Sequence, residues 1–171
     1  QLIIEAEHIV ICAHKSPDGD ALGSSLAWKS YLNQIGKTDV TVCMPDAYPD
    51  FLQWLPEANT VLRYDKNPEK VQETFDRADL VCCLDFNQYA RVEAMRSTLE
   101  GCKAKRILID HHLEPQTDNA ITISQPNMSS TSEMIFYIIS QLGGYNDMTK
   151  DCAQCIYCGM MTDTGGFTYN S

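Results

Sequence analysis

Long hydrophobic runs are missing from this sequence. The longest apolar stretches, such as residues 9–13, have the length of a strand, far short of the ~20 residues that cross a bilayer. No membrane partner is therefore expected. No positively charged n-region precedes an apolar h-region, so no signal peptide is read. Positive charge is also scarce: 13 Lys and Arg against 23 Asp and Glu leave a formal net charge of −10. Proteins that track long duplex nucleic acid neutralise many phosphates with Lys and Arg, so that class is excluded. A small anionic ligand stays open, because bound divalent cations reverse the local sign of a site. There is no internal repeat, no low-complexity tract and no linker. The 171 residues suffice for one domain with a sizeable core.

Cysteine, by contrast, is abundant, with eight in the chain. Cys82 and Cys83 are adjacent inside an apolar run and on a strand point to opposite faces. Cys152, Cys155 and Cys158 follow an i, i+3, i+6 spacing that resembles the start of an iron–sulfur or zinc motif, but no suitable fourth ligand follows. The expectation is buried helix and strand thiols in a reducing, cytoplasmic setting.

Apolar, β-branched runs alternate with segments of helical period. Strands are expected at 8–13, 40–44, 78–84 and 106–109, with a short one at 121–124. Helices are expected at 21–34, ended by Gly36, and at 67–77, opened by Pro68. Two more are expected at 92–100 and 149–161. Residues 133–142 form another, opened by Ser130-Thr131-Ser132-Glu133 at capping-box spacing and stopped at Gly143-Gly144. Residues 45–56 read as a loop with aromatic content. Strands separated by helices predict an α/β domain with a mainly parallel sheet flanked by helices.

In open parallel sheets ligands bind beyond the carboxyl ends of the strands, and the acidic and histidine residues gather there. The first strand runs into His14-Lys15-Ser16-Pro17-Asp18-Gly19-Asp20. The third runs into Asp85, and the fourth into Asp110-His111-His112. The last helix runs into Thr162-Asp163-Thr164-Gly165. Five carboxylates in one cleft would repel strongly: like charges at ~4 Å cost about 4 kcal/mol even at an effective dielectric of 20. Two divalent cations remove that repulsion. An oxygen-rich donor set with imidazole and no thiolate suits manganese or magnesium. Each segment alone has a plain structural alternative: a turn at 17–20, a helix cap at Asp85, a surface pair at His111-His112, a helix end at Asp163. The case rests on their recurrence at element ends. Ser24 and Ser25 read as helix packing after a turn at Gly23, and no serine or cysteine nucleophile is required.

His14-x-x-Pro17-Asp18-Gly19-Asp20-Ala21-Leu22-Gly23-Ser24 resembles the first motif of the DHH phosphoesterases. Asp85 with Arg91 resembles the second, Asp110-His111-His112 the third, and Thr162-Asp163-Thr164-Gly165-Gly166-Phe167 the fourth. The second motif departs from many relatives, with Asn87 standing where they carry Ser. The resemblance implies one metal held by His14, Asp18 and Asp85, and another by Asp20, Asp85, His111 and Asp163, with Asp85 bridging. His112 is then left to face the scissile phosphate as charge stabiliser or proton donor. Asp110 would orient a histidine, and Arg91, with Lys15 a weaker candidate, would contact phosphate. Two Mn2+ ions, or Mg2+, would activate a water for in-line attack.

The opening and closing motifs are most similar to enzymes that degrade short oligoribonucleotides and remove the 3′-phosphate of adenosine 3′,5′-bisphosphate. The expected partner is thus a small nucleotide or short single-stranded RNA, with homodimers common among relatives. Exopolyphosphatase, pyrophosphatase or cyclic dinucleotide phosphodiesterase activity is the enzymatic alternative. Metal or nucleotide binding without hydrolysis is the non-enzymatic one. Residues 1–171 are expected to be the catalytic domain. The second, glycine-rich substrate-binding domain of the family is expected elsewhere.

Overall fold

Strands form where β-branched and apolar residues run without a break, and the central strands of the sheet they build are buried on both faces. The computed structural model describes residues 1–115 and 119–163, with Asp163 described by its backbone alone. Among the described residues the strands are β1 (Ile9–Cys12), β2 (Val40–Met44), β3 (Leu62–Arg63), β4 (Leu80–Leu84), β5 (Lys105–Asp110) and β6 (Ile121–Ser124). They pair in parallel in the order β3-β2-β1-β4-β5-β6. Every residue of β1 and β4 is buried, as continuous apolar strands in a parallel sheet require.

The helices are α1 (Leu2–Glu5), α2 (Gly19–Gln34), α3 (Pro68–Arg77), α4 (Arg96–Gly101), α5 (Thr131–Gln141) and α6 (Lys150–Asp163). Leu22, Leu26 and Trp28 of α2, Ile135 of α5 and Cys155 of α6 share one core with Ile11 and Cys82. Val71 and Phe75 of α3 and Leu99 of α4 share the other with Val10 and Cys83. The α/β expectation holds, and the alternation of Cys82 and Cys83 between the two faces holds with it. Burial pushes the Cys155 thiol up to about 12, and Cys152 and Cys158 are buried beside it on α6. These are packing thiols. No helix among the described residues is long and apolar enough to cross a membrane.

The structure departs from the expected elements in several places. Helix α2 begins at Gly19, inside the first motif, because the Asp18 carboxylate accepts from the Ala21 amide at 2.9 Å and caps it. Gly23 is therefore helical and makes no turn. A side chain there would meet the Cys155 carbonyl of α6 at 2.5 Å. Lys29 is buried, its Nζ donating to Thr60 Oγ1 at 3.0 Å and pairing with Glu57 at 3.3 Å. The expected helix at 92–100 is a 3₁₀ segment, Tyr89–Met95, broken at Glu93 (φ 43°, ψ −109°) before α4 starts. The cap of α5 stands: Ser130 accepts from the Glu133 amide at 3.0 Å, while Glu133 reaches back to the Ser129 amide at 3.1 Å.

Candidate metal centre

Chain order reverses between β1 and β4, so these two strands form the switch point of the sheet. Their register pairs Cys12 with Cys83, and Leu84 pairs with Ile109 of β5. Continued past the strand ends, that register sets His14, Asp85 and Asp110 side by side. Asp85 leaves β4 with φ 64°, a left-handed conformation that Asp tolerates better than most residues. Its amide donates to the Ile109 carbonyl at 3.1 Å. The loop after β1 is held from both sides. The Ser16 amide donates to Asp46 Oδ1 at 2.7 Å, and the Lys15 amide to the Arg91 carbonyl at 2.8 Å.

Three loops thereby converge. His14 Nε2 lies 3.3 Å from Asp85 Oδ2 and 3.8 Å from Asp18 Oδ1. His111 Nε2 lies 3.4 Å from Asp85 Oδ1 and 3.8 Å from Asp20 Oδ2. The buried Asp85 carboxylate thus sits between two imidazoles, one oxygen toward each. Both Asp20 oxygens accept backbone N–H bonds, Oδ2 from Thr131 at 2.9 Å and Oδ1 from Ser132 at 2.8 Å. The Thr131 hydroxyl donates to Asp85 Oδ1 at 3.0 Å. Asp110, fully buried, binds His112 twice, at Nδ1 (2.7 Å) and at its amide (3.0 Å).

Charge in this cluster is unbalanced. Burial would lower the His14 imidazole, but Asp18, Asp85 and the Lys15 carbonyl overcome it and raise the group to about 10. The bond to Asp85 raises His111 to about 9 against the effect of burial. Burial would raise Asp85, yet His111 and His14 hold it well below the usual carboxylate range. Asp20 is pushed up by burial and by the Asp85 charge. Protonated histidines are thus the counter-charge of the carboxylates, a task that divalent cations fill with more charge.

The donors also fit such ions in orientation. His14 Nδ1 lies 2.8 Å from the Lys15 carbonyl, which turns Nε2 to the carboxylates, as histidines that ligate metal are held. Two groups of donor atoms lie within 4.8 Å of one another: His14, Asp18 and Asp85; and Asp85, Asp110, His111 and His112. Asp85 is common to both.

The structure therefore brings together His14, Asp18, Asp20, Asp85, His111 and the Asp110–His112 pair. Arg91 is exposed and tied to the loop of His14 through its carbonyl. The side chain of Asp163 and the rest of the fourth motif at 164–167 lie outside the described residues. Sequence reasoning passed over Thr131 and Ser132, which it read only as part of a helix start. Their signal was present: a polar pair leading a helix after the last expected strand. Asn87 was noted only as a departure. Its amide donates to the Leu113 carbonyl at 2.7 Å, and Gln88 donates to that of Glu114 at 2.6 Å. Together they pin the loop that follows His112.

Fold and site define an open parallel α/β domain with a candidate metal centre at the switch point of its sheet. The DHH family, N-terminal domain, matches residues 8–160. A bifunctional oligoribonuclease and PAP phosphatase NrnA from Thermus thermophilus is 32% identical over 161 residues, covering 94% of this chain and 44% of the relative. The chain thus spans about half the length of the curated relatives it matches. An exopolyphosphatase-related protein from Bacteroides fragilis superposes with a TM-score of 0.95 at 47% identity, over 99% of this chain and 50% of that one. RecJ from Thermus thermophilus, in complex with Mn2+, shares the fold at a TM-score of 0.54 and 17% identity, over 95% of this chain and 23% of RecJ. The chain belongs to the DHH family.

Proposed function

We propose that residues 1–171 are the catalytic domain of a two-metal phosphoesterase acting on short oligoribonucleotides and on the 3′-phosphate of adenosine 3′,5′-bisphosphate. The observation that carries this reading is the Asp85 carboxylate, which presents one oxygen to His14 and the other to His111. His14, Asp18 and Asp85 would hold one ion; Asp20, Asp85, His111 and Asp163 the other. When bound, two such ions, Mn2+ in the first instance, acidify water and neutralise phosphate oxygens.

The chain's own groups do the rest. Asp85 holds both halves of the site at one carboxylate. Asp110 fixes His112 through Nδ1, which leaves Nε2 as the free end. From there a proton passes to the ester oxygen as the P–O bond breaks, while the new bond from water to phosphorus forms and the proton that the water gives up passes to solvent. Arg91, exposed beside the loop of His14, would draw in the phosphate. The printed activities of the NrnA relative support the nucleotide substrates. The Bacteroides fragilis protein supports a second reading, hydrolysis of polyphosphate. A further substrate-binding domain would complete the active site, so the isolated chain should bind metal well and turn over slowly.

Side-by-side assays with Mn2+ on dinucleotide RNA, adenosine 3′,5′-bisphosphate, pyrophosphate, polyphosphate and a cyclic dinucleotide test the reading. Release of phosphate or mononucleotide from the first two is expected, and Asp85→Asn should abolish it. Full activity in Asp85→Asn would falsify the mechanism. Metal uptake with no turnover of any of these substrates would favour a binding domain.

A further inference from the structure

The first turn of α5 reaches into the site without being one of its expected ligands. Its helix cap is already supplied by Ser130, so neither the Thr131 hydroxyl nor the exact placement of the 131 and 132 amides is needed to start the helix. Yet all three groups are spent on carboxylates from other elements. Thr131 Oγ1 donates to Asp85 Oδ1 at 3.0 Å, and the two amides hold the Asp20 oxygens at 2.9 and 2.8 Å. Ser130, Thr131 and Ser132 are fully buried, so these bonds form away from competing water.

We infer that Thr131 is the positioning residue of the metal centre, setting the plane of the Asp85 carboxylate so that one oxygen faces His14 and the other His111. The inference rests on the two-ion reading above. A carboxylate turns readily about its last torsion, whose wells are broad. Two histidines on opposite oxygens leave that rotation loosely held, since both approach at 3.3–3.4 Å. A third partner, the Thr131 hydroxyl at 3.0 Å on the oxygen that also faces His111, stops it. Threonine suits this role because its branched Cβ restricts the hydroxyl to few directions. The turn itself is held in place from α6. An added side chain at Gly159 would lie 1.9 Å from Ser132 Oγ and 3.4 Å from Asp20 Oδ1, so α5, α6 and Asp20 meet only because residue 159 has none. The positive end of α5 also lies against the Asp20 charge, where it is favourable.

The test compares Thr131→Ser, which keeps the hydroxyl, with Thr131→Ala, which lacks it; both lose the methyl group. Mn2+ is titrated by calorimetry into each 171-residue chain, and the spin-coupled signal of a Mn2+ pair is read by electron paramagnetic resonance. Thr131→Ser should bind within about 3-fold of wild type. Thr131→Ala should weaken at least one ion by about 10–100-fold, the range seen when partners of metal ligands are removed, and should lose the coupled signal. Equal binding by the two variants, whether strong or weak, overturns the role of the hydroxyl. A wild-type chain that takes up no Mn2+ overturns the two-ion reading itself, a result distinguishable from the first.

Discussion

A buried carboxylate between two imidazoles has two ways to be neutralised, by protons or by metal. Without metal, His14 and His111 keep their protons to about pH 10 and 9, against about 6.5 in an unfolded chain. A raised histidine contributes stability that is fully present below the unfolded value and lost as pH rises through the folded one. Asp20, raised by burial and by Asp85, adds a loss with rising pH that begins lower, above the ordinary carboxylate value. Chelator-treated protein should therefore lose thermal stability steadily from pH 6.5 to 9. With Mn2+ present the sign reverses, because ligation needs neutral imidazoles and rising pH removes the competing protons. Melting curves at several pH values, with EDTA and with Mn2+, check this; parallel slopes in the two series would sink the proton–metal exchange. Residues that act by type and position, such as His14, Asp85 and His111, were legible in the sequence because each follows an apolar strand. Thr131 was not, since its role comes from where α5 begins in space, 46 residues from the carboxylate it holds.

Between elements, the decisive contact is α2 against α6. A side chain at Gly23 would meet the Cys155 carbonyl at 2.5 Å and the Gly159 Cα at 3.0 Å. Gly23→Ala gains about 1 kcal/mol of helix propensity, while overpacking costs about 1–3 kcal/mol. The atoms met are backbone and have no rotamer to move into, so the cost should win. Urea unfolding should show a lowered midpoint with an unchanged slope, and a stabilised Gly23→Ala chain would mean that the helices are not closely held. Sequence patterning placed most elements because burial of a parallel sheet leaves continuous apolar runs. It missed β3, whose two residues are too few to show a period. It started α2 late because glycine at 19 and 23 reads as a breaker when only local propensity is weighed; the approach of α6 is the tertiary reason for Gly23. The 3₁₀ segment at Tyr89–Met95 has the apolar spacing of a helix, with Tyr89, Val92 and Met95 buried, and nothing local announces the break at Glu93.

For the molecule as a whole, metal is the natural answer to a net charge of −10. Repulsion among acidic groups works against the compact state, and it is sharpest where Asp18, Asp20, Asp85 and Asp110 converge at the carboxyl ends of β1, β4 and β5. An ion bound only by the folded chain stabilises it by about 2.7 kcal/mol at a concentration 100-fold above its dissociation constant. For a domain of this size each kcal/mol moves the melting temperature by about 2–4 °C. One Mn2+ should thus raise it by about 5–10 °C, and a second should add to that. Weak binding to exposed carboxylates elsewhere on an acidic surface can mimic a small part of the effect, and two controls separate the cases. Asp85→Asn removes the shared ligand while leaving every exposed acidic group in place, so it should abolish nearly the whole shift. Raising salt screens exposed charge within about 10 Å at 0.1 M but leaves a buried centre nearly untouched, so the wild-type shift should survive it. A shift that persists in Asp85→Asn and fades with salt would place the metal on the surface and remove the basis for hydrolysis at the switch point.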